Sequence, residues 1–188
     1  MWRILMFRKM ILCAGVLMFA GAVSAQNLTA DQPYADEKNK FTLSYMKDFV
    51  QKKSGNSIEF SSKDKGVTVT VKVLSAAEAA ALAKKQGKNS ADTLSVLKSV
   101  LDAQKVAKDL DPAMNNLPAD AVSQIKATAG SSVKYGMKKN GANYACKAGV
   151  FTNGKVFVSL SYAILEKKGN EKYEKPAGAM LKSFAFTE

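Results

Sequence analysis

Histidine is absent from the 188 residues. With it go Ser-His-Asp and Cys-His catalysis and every zinc site that needs an imidazole ligand. Arginine occurs only as Arg3 and Arg8, so the rest of the chain lacks the guanidinium forks that usually recognise phosphate and carboxylate in bidentate fashion. A sequence-specific nucleic-acid reader is therefore not expected. Cysteine occurs only as Cys13 and Cys146, which excludes Cys-x-x-Cys redox chemistry and multi-cysteine metal centres. There is no GxxxxGK[ST] loop, no strand-linked GxGxxG and no EF-hand-like run of carboxylates. No cofactor or metal is expected. A Ser-Lys hydrolase remains open on composition alone, as the least favoured function.

What is present begins with a leader. Trp2 to Lys9 carries Arg3, Arg8 and Lys9 without an acid, and Met10 to Ala22 is an apolar run. Val23-Ser24-Ala25 places small residues where a signal peptidase needs them, so cleavage is expected between Ala25 and Gln26. The alternative is a retained anchor. A spanning helix needs about 20 apolar residues, which this run reaches only by counting Gly15, Gly21 and the cleavage residues. Lipidation at Cys13 is disfavoured because Leu12 precedes it. Without the leader, Cys146 stands alone and no internal disulfide can form. The net charge of +12 loses the leader's three positive groups and becomes +9. The expected destination is the periplasm, with full secretion as the alternative.

Residues 26–40 are polar, contain Pro33 and lack periodicity, so they read as a flexible lead-in to a single α+β domain over 41–188. Phe41, Leu43 and Tyr45 alternate with polar residues, as do Ile58 and Phe60, and Val67, Val69, Val71 and Val73. Such alternation marks strands of an antiparallel sheet with one buried face. Ser75-Ala76-Ala77-Glu78 is a capping box opening a helix that ends at Gly87. A second helix is expected from Ser90, with Leu94, Leu97, Val100 and Leu101 on one stripe, stopping before Pro112. A third runs from Pro118 to about Ala129 with Val122 and Ile125 inward, after a connector over 111–117.

In the last third, Asn140-Gly141 is a two-residue hairpin turn that pairs Met137 with Tyr144, Tyr135 with Cys146 and Val133 with Ala148. The turn at Thr152-Asn153-Gly154 reads as a three-residue loop. That register pairs Val150 with Val156, Ala148 with Val158 and Cys146 with Leu160, keeping all of them on one core face. Pro176 suits the first position of a helix running to Lys182, and Phe184 and Phe186 form a terminal strand. The order is three strands, two or three helices, three strands, a helix and a strand: an antiparallel sheet of about six to seven strands flanked by helices.

This order resembles the PsbP-like fold over about residues 40–188. The resemblance lies in the opening Phe41-x-Leu43-x-Tyr45, the strand Ser57-Ile58-Glu59-Phe60, the valine-alternating strand after it, and the ending Leu181-Lys182-Ser183-Phe184-Ala185-Phe186. Met46 and Phe49 stand where family members usually carry Tyr-Pro and Trp. The resemblance implies a non-catalytic role in stabilising or assembling larger complexes, and carries over no functional residue.

Three residues are candidates for a contact site. The hairpin register puts Lys134 directly across from Lys147 on the non-core face, with Lys138 farther along the strand. Like charges opposed in this way are unfavourable, which suggests a retained anion or partner patch. Splayed, solvated lysines are the plainer reading. Cys146 is expected inward between Tyr135 and Leu160, as a small apolar residue rather than a reactive thiol or an intermolecular tether. Tyr45, Tyr135, Tyr144 and Tyr162 fall on the expected core face. Phe157 falls on the other, either under a helix or as an exposed contact. The expected function is that of an exported, non-enzymatic accessory protein that contacts another envelope protein, with weak adhesion to anionic membrane surfaces as a further possibility. The alternative is a small-ligand or lipid carrier with a cavity between helices and sheet.

Overall fold

The computed structural model describes residues 29–104 and 114–187. The described residues form an α+β fold. It opens with β1 (Ala30–Asp36), β2 (Phe41–Met46), β3 (Val50–Ser54), β4 (Ser57–Ser61) and β5 (Val67–Ser75). Helices α1 (Ala76–Lys85) and α2 (Thr93–Ala103) follow, then β6 (Asn115–Asn116) and α3 (Ala119–Gln124). The long strands β7 (Ala129–Lys139), β8 (Ala142–Thr152) and β9 (Val156–Leu165) lead through a short 3-10 turn to α4 (Glu174–Lys182) and β10 (Ala185–Phe186). A seven-stranded sheet has the order β3-β4-β5-β9-β8-β7-β6, and a second sheet has the order β1-β2-β10. The pairings in both sheets are antiparallel.

Both faces of the large sheet are covered. On one face Val69, Val71, Val158, Leu160 and Phe151 pack with Phe41, Phe60, Met180, Phe184 and Phe186 from the small sheet, β4 and the α4 region. On the other, Leu74, Val133, Ala148, Val150 and Phe157 pack under Ala79 of α1 and Val96, Leu97 and Leu101 of α2. Each side chain taken fully out of water there stabilises the fold by about 1.5–3 kcal/mol. Phe157 thus lies under the helices.

Local signals in the sequence fix several boundaries. The Glu78 amide donates to Ser75 Oγ at 3.2 Å and the Ser75 amide donates to Glu78 Oε2 at 2.8 Å, closing the capping box of α1. Gly87 follows the helix with φ +71°, and the amides of Gly87 and Lys88 donate to the Lys84 and Ala83 carbonyls. Asp92, not Ser90, caps α2, its carboxylate accepting from the Ser95 amide at 2.8 Å. Val96, Leu97 and Leu101 are inward and Val100 is half-buried, while Leu94, in the first turn, is exposed. The expected stop before Pro112 lies outside the described residues, as do the leader and its cleavage point.

Other expectations are corrected. Residues 26–40 are not a uniformly flexible lead-in: Ala30–Asp36 forms β1, which pairs with β2 and lays Tyr34 edge-on to Phe60 at 5.7 Å. β3 adds an edge strand that lacks any hydrophobic alternation and is exposed along its whole length. The third helix ends at Gln124, with Val122 and Ile125 half-buried. Pro176 is the third residue of α4 rather than its first, because a 3-10 turn at Glu171–Tyr173 starts the descent.

The largest correction is the β8–β9 register. Cys146 pairs with Ala163, Ala148 with Ser161, and Phe151 with Val158. The turn is one residue longer than expected because Asn153 Oδ1 accepts from the Lys155 and Val156 amides at 3.0 and 3.1 Å. Thr152 Oγ1 braces it by donating to the Val156 carbonyl at 2.8 Å. Both faces of the sheet are covered, so Val158 and Leu160 enter the core opposite to that of Ala148 and Val150 rather than sharing one face with them.

Candidate functional site

The β7–β8 hairpin forms as its turn requires, with φ +52° at Asn140 and +80° at Gly141, residue types that accept the left-handed region. Its register is the expected one and places Lys134 directly opposite Lys147. Lys147 in turn neighbours Tyr162 on β9. The face they share is not a bare solvent face, which corrects the sequence reading: Gly149, Phe151 and Leu160 continue it into the core beneath the small sheet and α4.

Lys134 is exposed and Lys147 is half-buried. Lys182, in the last turn of α4, brings a third ammonium to the same place, which no local signal in the sequence could reveal. Burial first, and then the charges of Lys134 and Lys182, hold the Lys147 ammonium below the ordinary lysine range. Among the described residues, none of the three makes an ion pair; Lys172–Asp64 at 4.0 Å is an ion pair elsewhere. Lys138 does not join them. It pairs with Asn143, four residue pairs nearer the hairpin tip.

Beside this lysine row opens a cleft of about 680 Å³. Its floor is the uncovered end of the sheet, with Gly136, Ala145 and Ile164 aligned across β7, β8 and β9. Tyr162 lines it together with charges of both signs, Lys134, Lys167 and Lys168 and the carboxylates of Glu166, Glu171 and Glu174. Tyr162 is only 8% exposed, and its hydroxyl makes no hydrogen bond among the described residues. No buried side-chain oxygen or nitrogen there is left both unpaired and sealed from solvent, so this hydroxyl opens into the cleft. Burial, then the nearby Glu174 carboxylate, raises its pKa.

Cys146 points inward beside Tyr135, 4% exposed, though opposite Ala163 rather than Leu160. Burial pushes its thiol up to about 11. Tyr135 donates to Gln104 Oε1 at 3.2 Å. Tyr162 and Tyr135 sit in different cores, not on one face as expected. Among the described residues, no group of three or more cysteine or carboxylate side chains could hold a metal ion. No helix among them is long and apolar enough to cross a membrane.

No protein-family model matches the chain, and no curated protein matches it. Solved structures do. The Saccharomyces cerevisiae Ran-binding protein Mog1p is 8% identical, with 85% of this chain and 97% of that one superposed at a TM-score of 0.54. A Bacteroides thetaiotaomicron protein matches at 10% identity and a TM-score of 0.53 over 85% of this chain, which spans half the length of that protein. Cyanobacterial PsbP from Synechocystis is 13% identical, covering 92% of this chain and 99% of its own, at a TM-score of 0.42. The likeness is one of fold. The PsbP-like α+β arrangement anticipated from strand order is the arrangement present, and Mog1p shares it.

Proposed function

We propose that this chain is an exported, non-enzymatic accessory protein of the cell envelope that acts by contact with another protein. The observation that carries the proposal is the row Lys134, Lys147 and Lys182, three like charges converging on a half-buried position without a counter-ion among the described residues. An acidic segment of a partner would relieve that repulsion, and partial burial would make each contact count for more than on open surface. The basic leader supports export, with residues 1–25 removed and the periplasm as destination. Mog1p, a Ran-binding protein, shows that this fold can serve protein binding, which is support by analogy of fold alone.

The test is gentle purification from the native envelope followed by native mass spectrometry at two ionic strengths. The expected result is a discrete added protein mass that weakens at higher salt and disappears with Lys134→Glu plus Lys147→Glu. Capture undiminished by that double variant would discard the lysine row as the contact.

A further inference from the structure

We infer that one end of the large sheet is a docking surface for an anionic lipid bilayer. The inference rests on the export part of the reading above and not on its protein contact.

The strand registers bring three chain segments side by side at that end. Ser61 pairs with Thr68, which puts the β4–β5 turn there. Val67 pairs with Ile164 and Tyr144 with Leu165, so the segment after β9 and the tip of the β7–β8 hairpin stand next to it. The Leu165 amide donates to the Gly66 carbonyl and the Glu166 amide to the Asn143 carbonyl, both at 2.9 Å, which ties the three segments to one level. β4 and β7 are four strand spacings apart in the sheet, so the row they make is about 19 Å wide.

This row is strongly basic. Lys63 and Lys65 lie in the first segment, Lys167 and Lys168 in the second, and Lys138 and Lys139 in the third, all of them exposed. Among the described residues none of the six makes an ion pair. The same segments hold two carboxylates, Asp64 and Glu166, which leaves a net charge of +4. Asp64 is moreover already engaged by Ser62, Gly66, Tyr173 and Lys172. The opposite end of the sheet differs. Its β3–β4 turn, Gly55–Asn56, carries no charge, its β8–β9 turn carries Lys155, Lys126 stands ahead of β7, and Asn56 donates to Glu78.

Six ammonium groups on three separate turns do not converge on one point. A small anion would meet a pair of them, whereas a surface of repeated phosphates meets the whole row. Neighbouring segments lie within a Debye length, about 10 Å at 0.1 M salt, so their charges act together on such a surface. Lysine suits this contact because its ammonium is a hydrated point charge that needs no fixed partner geometry, unlike the arginine fork. An apolar group accompanies the charge. Val50 and Leu94 are the two large apolar side chains exposed among the described residues, and Val50, opposite Ser61, stands at this end. Basic groups beside an exposed apolar side chain are the combination that holds a protein at a lipid interface.

The experiment is co-sedimentation of the purified protein with vesicles of phosphatidylglycerol and phosphatidylcholine in equal parts, and in parallel with vesicles of phosphatidylcholine alone. Binding to the anionic vesicles, little to the neutral ones, and release at raised ionic strength are expected. Lys139→Glu plus Lys167→Glu should weaken binding by about tenfold or more. Lys38, beside Gly55 and Asn56, belongs to the opposite end. Lys38→Glu plus Lys155→Glu makes the same change in net charge there and should weaken binding by less than about threefold. Lys63→Glu plus Lys168→Glu repeats the test on other side chains of the basic end, so the question is settled even if one variant fails to fold. No binding to the anionic vesicles, equal binding to the neutral ones, or equal weakening by changes at the two ends would overturn the inference. Partner capture rests on Lys134 and Lys147 and persists in Lys139→Glu plus Lys167→Glu, so either reading can fail while the other stands.

Discussion

Lys134 and Lys147 face each other directly across β7 and β8, and α4 adds Lys182 to the pair. Like charges opposed on adjacent strands cost a few tenths to about 1 kcal/mol. Lys134→Glu turns that repulsion into attraction, so the variant should be more stable than the parent by about 0.2–1 kcal/mol at low ionic strength. The gain should shrink as salt screens it. Urea unfolding at two salt concentrations measures both. Identical midpoints would mean that the two side chains splay apart freely.

The same pair sets a pH dependence. The folded state holds the Lys147 ammonium below its ordinary value of 10.5, so at neutral pH its charge works against folding. Above the folded pKa the native protein has shed this proton while the unfolded chain still binds it, so stability gains with rising pH up to 10.5. The stability difference between Lys147→Gln and the parent should therefore narrow as the pH is raised through that window. A difference independent of pH would assign the effect to packing.

Asp64 behaves in the opposite sense. Its carboxylate accepts from Ser62 Oγ at 2.6 Å, from the Gly66 amide at 3.0 Å and from the Tyr173 hydroxyl. The Ser62 and Gly66 bonds chiefly hold its pKa below the ordinary 3.8. The stabilisation is complete above that value and is lost as pH falls through the lower, folded one. Asp64→Asn should cost about 0.5–1.5 kcal/mol at neutral pH and progressively less in acid, followed by chemical unfolding at a series of pH values.

Cys146 should be inert in the native protein. Buried and with its thiol pKa at about 11, it presents little thiolate at pH 8. A disulfide reagent should label it roughly 100-fold faster after unfolding than before. Prompt native labelling would restore the intermolecular tether as a possibility.

Two strand glycines should respond oppositely to alanine. At Gly149 a Cβ would stand 2.7 Å from Cζ of Phe151, whose ring is stacked on Phe184 at 5.3 Å, so Gly149→Ala should cost about 1–3 kcal/mol. At Gly136 the space is open, and Gly136→Ala should be neutral or stabilising by about 0.4–1 kcal/mol. Thermal melts of the two variants make the comparison.

Where one short motif dictates one geometry, the sequence was readable. Asn140-Gly141 set the β7–β8 register residue by residue, and Ser75 with Glu78 marked the start of α1. A single buried face, the simplest premise for alternating strands, does not hold for this sheet. The second layer that β1, β2 and β10 build over the sheet is formed by residues from both ends of the chain, and no local pattern announces it. β1 hid behind Pro33, and β3 behind five exposed residues without alternation. The candidate patch was half legible: Lys134 and Lys147 follow from the hairpin, whereas Lys182 and the open hydroxyl of Tyr162 depend on how α4 crosses the sheet.

That small sheet has a consequence for how the protein is made. β2 is held on one side by the first described strand and on the other by the last. A chain emerging from its amino end can lay β1 on β2 early, but Phe186 reaches Phe41 only after everything between has been delivered. Until then the aromatic ridge of Phe41, Phe60 and Phe151 lacks its Phe184 and Phe186 lid. Pairings so distant along the chain form slowly. Closure is thus a terminal event, and deleting the last few residues should leave that ridge open to aggregation rather than merely shorten the fold.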